Sequence, residues 1–235
     1  MASDRSAEIR ALLAEHFLLR HLPPLDLERL AAFAKMQTFG AGEPVFMQGD
    51  RAAGMMVVVS GRVRITSSSA DGKEVVLNIV YPGEVFGEIA LIDGVERTAE
   101  ATAAEATELL LLERRDFLPY LERHPGLSLE LLKMLCHRLR TTNEQLEDFS
   151  FLELRRRLAK KLVHLADSHG KEAPEGVRIG FKLTQRELAA MMGTTREAVN
   201  RQLRTLTDEG LIKQNGSSIV IRDPEGLEDV VKEAV

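Results

Sequence analysis

Apolar and polar positions change rhythm three times along the 235 residues. The first stretch, residues 6–34, carries two helical pieces, SAEIRALLAEHFLLRHL and LDLERLAAFAK, split by Pro23-Pro24, with Asp26 placed to cap the second. From Thr38 to about Arg114 the rhythm shortens to β-prone runs: PVF, MMVVVSG, RVRITS, EVVLNIV, TAEATA and TELLLLE. Nine of the 17 glycines fall between Gly40 and Gly94, and short strands with glycine turns at this spacing predict a small sandwich or barrel. Asp71-Gly72 between two runs signals a hairpin.

A long helix follows Pro125-Gly126, from Leu127 to about Glu153, with no internal Gly or Pro. Leu132, Leu135, Leu139, Thr142, Leu146 and Phe149 recur at alternating spacings of three and four, the a/d seam along which two helices interlock. The polar step Thr142-Asn143 interrupts that seam, and polar groups in a seam fix register or touch something. With β texture before it and basic helical texture after it, this helix reads as a dimerising connector between a sensor and an effector.

The last stretch opens with a basic amphipathic helix, RRRLAKKLVHLADSHG, followed by a PEGV loop. Thr184-Gln185-Arg186-Glu187 is a capping box opening LAAMM, which stops at Gly193. Thr194-Thr195-Arg196-Glu197 reads as a second box, opening REAVNRQLRTLTDE. Two capped helices joined through a glycine turn make a helix-turn-helix. At about 100° per residue, Arg196, Thr207, Asn200, Arg204, Glu197 and Arg201 share one face of the second helix. Val199, Leu203 and Leu206 occupy the other, as a recognition helix in a major groove requires. Arg reads guanine bidentately and Glu accepts from cytosine N4. LIKQNGSSIVI, turning at Asn215-Gly216, reads as a β-wing.

Composition narrows the function. A chain of this length with 44% apolar residues fits two domains. No run reaches the length of a membrane span: MMVVV at Met55–Val59 and Leu109–Leu112 are strand-sized. The N-terminus, MASDRSAEIR, shows no secretory signal, so a cytoplasmic protein is expected. The single cysteine, Cys136, excludes an internal disulfide or a four-thiolate metal site and reads as a small buried residue. All six histidines lie outside Thr38–Arg114, which argues against a metal-dependent barrel enzyme or a haem-sensing roll. Net charge is −5, yet residues 150–222 hold 14 Lys and Arg against 8 Asp and Glu, a basic block that hints at nucleic acid.

The roll also carries a phosphate-shaped element, Pro82-Gly83-Glu84-Val85-Phe86-Gly87-Glu88-Ile89-Ala90-Leu91, followed by Glu96-Arg97-Thr98-Ala99. Gly87 lets a turn approach a ligand, and amides entering the next helical turn point at an anion. Arg97 offers a planar fork for phosphate, Thr98 a hydroxyl, and Glu88 an acceptor for a ribose hydroxyl.

FGEIAL followed by ERTA resembles the phosphate-binding cassette of cyclic-nucleotide-binding rolls, and the order of roll, long helix and basic helical domain resembles the catabolite activator branch of the CRP/FNR transcription factors. The resemblance runs from about Leu25 to Arg222. It implies an α+β chain: a cyclic-nucleotide-binding β-roll (1–124), a dimerisation helix and hinge (125–153), and a winged helix-turn-helix (154–235). It implies that Gly87, Glu88, Ile89 and Ala90 hold ribose and phosphate, with Arg97 and Thr98 on the phosphate. Ile65, Leu77 and Asn78 would line the base, with Arg138 nearby. Thr142 and Asn143 fall where relatives place the pair that reads the adenine amino group across the dimer. Some relatives carry Thr-Ser there; an amide both donates and accepts, so adenine readout stays open. Arg196, Glu197 and Arg201 match the family's DNA-reading pattern, with Lys182, Thr184, Arg186, Thr195, Asn200 and Arg204 around them. The oxygen-sensing branch has a different pattern and needs a cysteine cluster that is absent. The expectation is a homodimeric, non-enzymatic regulator with cyclic AMP as effector, no resident cofactor or metal, and double-stranded DNA and RNA polymerase as partners. A relative with another effector or none, a barrel enzyme fused to a helical domain, and an interaction scaffold are the alternatives.

Overall fold

The structure, a computed structural model, describes residues 2–51, 53–69 and 74–232, so the turn expected at Asp71-Gly72 lies outside the described residues. The chain forms two compact units, the first taking in most of the chain up to Leu139 and the second Arg140–Val235.

In the first unit, α1 (Ala2–Glu15) and α2 (Pro24–Phe33) are parted at the proline pair. Pro24 sits at the first helical position of α2, where its missing N–H costs nothing. Asp26 does not cap that helix: the N-cap is Pro23, which has no side-chain acceptor, and Asp26 lies inside the first turn, 3.0 Å from His124 Nε2. The helix ends at Ala34, and the expected helical Lys35 opens a strand, β1 (Lys35–Phe39).

Seven more strands follow: β2 (Pro44–Phe46), β3 (Gly54–Ser60), β4 (Val63–Ser68), β5 (Glu74–Val80), β6 (Val85–Phe86), β7 (Glu100–Ala103) and β8 (Thr107–Glu113). They form two four-stranded sheets, ordered β1-β8-β3-β6 and β2-β7-β4-β5. The unbroken apolar runs MMVVV and LLLL are neighbours, with Met55 opposite Leu112 and Val58 opposite Leu109. Their alternate residues bury on opposite faces. Met56, Val58, Leu109 and Leu111 join the core that includes Ala101, Val63 and Phe86, while Met55, Val57, Leu110 and Leu112 join the core built with the helices. A strand covered on both faces has no polar alternate position, which is why these runs lack a period of two. Each such side chain contributes about 1.5–3 kcal/mol by burial.

Three helices complete the unit: α3 (Glu88–Asp93), α4 (Arg114–Arg123) and the start of α5 (Pro125–Phe151). Leu127 and Leu131 of α5 are buried in the helical core, with Met134 packed against it. Cys136 is exposed, contrary to the expectation of a buried thiol. At 100° per residue it stands about 180° from Leu127, opposite the stripe that α5 presents to the roll.

The second unit continues with α6 (Leu154–His169), β9 (Gly170–Ala173), β10 (Gly176–Ile179), α7 (Gln185–Met191), α8 (Arg196–Asp208), β11 (Ile212–Asn215), β12 (Ser218–Ile221) and α9 (Pro224–Lys232). Its sheet runs β11-β12-β10-β9. The expected PEGV loop is thus the turn and return strand of a hairpin. Helix α9, which the pattern did not predict, buries Leu227 and Val230. No described helix is long and apolar enough to cross a membrane.

Candidate ligand pocket and DNA-reading surface

The cassette is assembled around Arg97, which is 4% exposed. Its backbone is fixed on both sides by the preceding turn, Arg97 N–H donating to the Asp50 carbonyl and Gly49 N–H to the Arg97 carbonyl, each at 2.9 Å. The guanidinium then reaches back across the roll. Nη1 donates to the Gly87 carbonyl at 2.8 Å, Nη2 to the Gly54 carbonyl at 2.6 Å, and the group lies 4.2 Å from the centroid of the Phe46 ring. Both glycines are required. A Cβ on Gly87 would stand 2.5 Å from Arg97 Nη1, and one on Gly54 2.1 Å from the Leu112 carbonyl. Gly87 also holds φ +75°, the left-handed conformation that glycine adopts at no steric cost.

Burial pulls the Arg97 guanidinium below its usual pKa, opposed by the charges of Glu88 and Asp50. It stays a cation, since arginine does not deprotonate in proteins. Its Nε is buried with no hydrogen-bond partner. A buried donor on a cation, left unspent, is a place for an acceptor.

Helix α3 is held at both ends. Arg97 takes the carbonyl of its N-cap, Gly87, and Arg114 Nε donates to the Leu91 carbonyl at 2.7 Å in its last turn. Glu88, 2% exposed, turns inward and pairs with Arg138 of α5, whose other arm reaches the Val85 carbonyl. The structure therefore brings Gly87, Glu88, Arg97 and Arg138 together. Ala90 is buried behind them, while Ile89 and Thr98 are exposed. Ile65 lies half-buried on β4, and Leu77 and Asn78 are exposed on the neighbouring β5. Thr142 and Asn143 are exposed residues of α5 beyond Leu139, in the second unit.

Of the residues expected to form a seam, Leu132 is 57% exposed, Leu139 62% and Leu146 67%, with Leu135 half-buried. Phe149 packs within the second unit. Its ring lies 4.3 Å from the Arg157 guanidinium, and its edge abuts Gly193, where a Cβ would meet Phe149 Cε1 at 3.0 Å. Beside it Lys160 pairs with Asp148 at 2.7 Å.

The helix-turn-helix forms as its caps dictate. Thr184 Oγ1 accepts from Glu187 N at 3.1 Å while Glu187 Oε2 accepts from Thr184 N at 2.7 Å, the full reciprocal box. Gly193, at φ +58°, ends the first helix. The second helix is capped by Thr195 rather than Thr194, Thr195 Oγ1 accepting from Ala198 N at 3.2 Å. That register puts Ala198 where a box needs Glu or Gln, so the expected second box is a single cap. Val199, Leu203 and Leu206 are fully buried, and Arg196, Glu197, Arg201, Arg204 and Thr207 are exposed on the opposite face. Asn200 is half-buried, and its Oδ1 has no partner. Lys182, Thr184 and Arg186 are exposed before and at the start of α7, and Thr195 is exposed at the cap of α8. In the wing, Gly216 takes φ +60° at the turn, and Glu175 of the hairpin pairs with both Lys213 and Arg222. The β9–β10 hairpin is not signalled by the pattern, because each strand is only four residues long and GKEA has no apolar alternation.

A buried arginine spread over a glycine turn on a β-roll, followed by a winged helix-turn-helix, defines a ligand-sensing transcription regulator. Residues 36–124 match the cyclic nucleotide-binding domain, and residues 156–230 the Crp-like helix-turn-helix domain. The chain belongs to the CRP/FNR family of transcription regulators. It is similar to the cyclic AMP receptor protein of Thermus thermophilus, with 35% identity over 91% of this chain and 95% of that one. It is also similar to a CRP-like cAMP-activated global transcriptional regulator of Mycobacterium tuberculosis, with 32% identity over 92% and 96%. Among solved structures, the c-di-GMP responsive global regulator CLP of Xanthomonas campestris superposes with a TM-score of 0.74 at 26% identity, covering 85% of this chain and 99% of that one. These relatives are regulators of transcription, not enzymes.

Proposed function

We propose that this regulator works as a cytoplasmic homodimer whose effector is cyclic AMP and whose target is an inverted repeat of GTGA-like half-sites. The observation that carries the effector reading is Arg97: a nearly fully buried cation over the Gly87 turn with its Nε unspent. Gly87, Glu88, Ile89 and Ala90 take the ribose and phosphate, Arg97 and Thr98 the phosphate, and Ile65, Leu77 and Asn78 the base, with Arg138 holding Glu88. Thr142 and Asn143 read the adenine amino group across the dimer, which the exposed Leu132, Leu139 and Leu146 close. Sensor, connector and reader divide as 1–124, 125–153 and 154–235.

On DNA, Arg196 and Arg201 each take a guanine edge and Glu197 a cytosine, with Asn200, Arg204, Lys182, Thr184, Arg186 and Thr195 around them. RNA polymerase is the expected partner, met at residues 167–176, which include the β9–β10 turn. The two similar regulators described by their names as cyclic AMP receptor or cAMP-activated support this effector. A different effector is the second reading, favoured by the likeness to a c-di-GMP responsive regulator.

One experiment separates the readings. The purified chain is titrated with cyclic AMP, cyclic GMP and c-di-GMP while binding to a palindromic duplex is followed, and a random duplex library is selected with and without each nucleotide. Cyclic AMP alone should tighten binding and enrich an inverted repeat with centres about 34 Å apart. Enrichment of no inverted repeat, or an unchanged motif for Arg201→Ala, would defeat the DNA reading; tightening by c-di-GMP alone would replace the effector.

A further inference from the structure

The two helices of the helix-turn-helix begin alike, each with a threonine cap followed by one residue in the first helical position. Those first residues are Gln185 of α7 and Arg196 of α8, and they meet: Arg196 Nε donates to Gln185 Oε1 at 3.3 Å. Both backbones are fixed. Thr184 and Glu187 lock the start of α7 reciprocally, Thr195 caps α8, and Leu188 and Ala189 are buried in one helix as Val199 and Leu203 are in the other. The spacing of the two side chains is therefore set by secondary structure and core packing, although both stand at the surface.

We propose that Gln185 is a positioning residue for base choice, acting through Arg196; this rests on the reading of Arg196 as a guanine-contacting residue. A guanidinium offers donors on two edges, one shared by Nε and an Nη, the other formed by the two Nη groups. Holding Nε on Gln185 commits the first edge inside the protein and leaves the Nη1–Nη2 edge as the bidentate face for guanine O6 and N7. An unheld arginine samples many rotamers and can swing to a phosphate, which carries no sequence information. Gln185 is suited to the task because its amide oxygen accepts from arginine without adding negative charge near DNA, and its Nε2 keeps its donors for a phosphate oxygen. A carboxylate would hold Arg196 more firmly but would repel the DNA backbone.

The test uses the full chain and measures base preference separately from affinity. A duplex carrying the selected inverted repeat is compared with duplexes changed at each base pair, for wild type, Gln185→Leu, Gln185→Glu and Arg196→Ala. Leucine keeps the approximate shape without the acceptor. Gln185→Leu should lose about fivefold or more of the discrimination at one base pair, the pair that Arg196→Ala also relaxes. Other positions should keep their preference. Gln185→Glu should bind every duplex more weakly yet retain that discrimination, because the acceptor is restored. In an Arg196→Ala background, Gln185→Leu should add no further loss of choice at that pair. If Arg196→Ala relaxes one base pair while Gln185→Leu merely weakens all duplexes alike, Gln185 is a phosphate contact and the proposal is overturned. If Arg196→Ala leaves every preference unchanged, the underlying assignment of Arg196 fails, and the positioning role with it.

Discussion

Replacing Arg97 with alanine tests the pocket most directly, because the side chain has two separable duties. Without ligand it spends two donors on the Gly87 and Gly54 carbonyls, at 2.8 and 2.6 Å, and covers the Phe46 ring. Charge-assisted hydrogen bonds contribute roughly 1.5–3 kcal/mol each, and hydration of the vacated carbonyls returns part of that. The ligand-free roll should therefore lose about 2–4 kcal/mol. With ligand, a phosphate desolvated beside no cation should cost at least about 2 kcal/mol, roughly thirtyfold in affinity. Arg97→Lys keeps the charge but offers no planar fork to span two carbonyls, so it should recover part of the affinity and little of the stability. Gly87→Ala should imitate the loss, since its Cβ would collide with Arg97 Nη1. Thermal unfolding without nucleotide reads the first duty; isothermal titration with cyclic AMP, at a temperature where every variant is folded, reads the second. Wild-type affinity in folded Arg97→Ala would remove Arg97 from the ligand site. An unaltered melting curve would show that its bonds to the two carbonyls contribute nothing net.

Other expectations are as concrete. Burial holds the His16 imidazole at about 4, below its ordinary 6.5, so the unfolded chain takes up a proton that the folded one resists. That contribution is fully present above the unfolded value and lost as pH falls toward the folded one, at most roughly 3 kcal/mol. Melting temperatures of wild type should therefore fall more steeply across that window than those of His16→Phe, and parallel curves would exclude His16 as a cause. Leu139→Glu combined with Leu146→Glu places two charges in the exposed seam and should leave a folded monomer in sedimentation; a persistent dimer would place the interface elsewhere. Thr142→Ala should lower cyclic AMP affinity and narrow its advantage over cyclic GMP while the dimer persists. Dissociation into monomers would instead make Thr142 a register lock.

The strongest sequence signals were those in which one physical cause acts alone. Thr184 with Glu187 three residues on, and Gly193 after LAAMM, are local devices that required no tertiary context. The box read from Thr194 to Glu197 slips by one residue, since Thr195 caps α8 and Ala198 stands where the box needs an acid. Strand β1 was hidden because AAFAKMQTF passes from helix to strand with no glycine or proline between. The burial of Glu88 was equally invisible, since an acid in a turn suggests exposure until Arg138, 50 residues away, supplies its partner. The exposure of Cys136 follows from the phase of the stripe that Leu127 and Leu131 set, which residue type alone does not convey.

The ion pairs of the second unit alter what its charge means. Of the 14 Lys and Arg in residues 150–222, Arg155, Lys160, Lys213 and Arg222 are already matched by Glu209, Asp148 and Glu175. A cation neutralised within the protein displaces no condensed ion from a duplex, and each phosphate contact steepens the dependence of log K on log salt by about 0.9. The slope measured for this protein should therefore report the unpaired cations of the reading face and fall short of what the basic block's composition suggests.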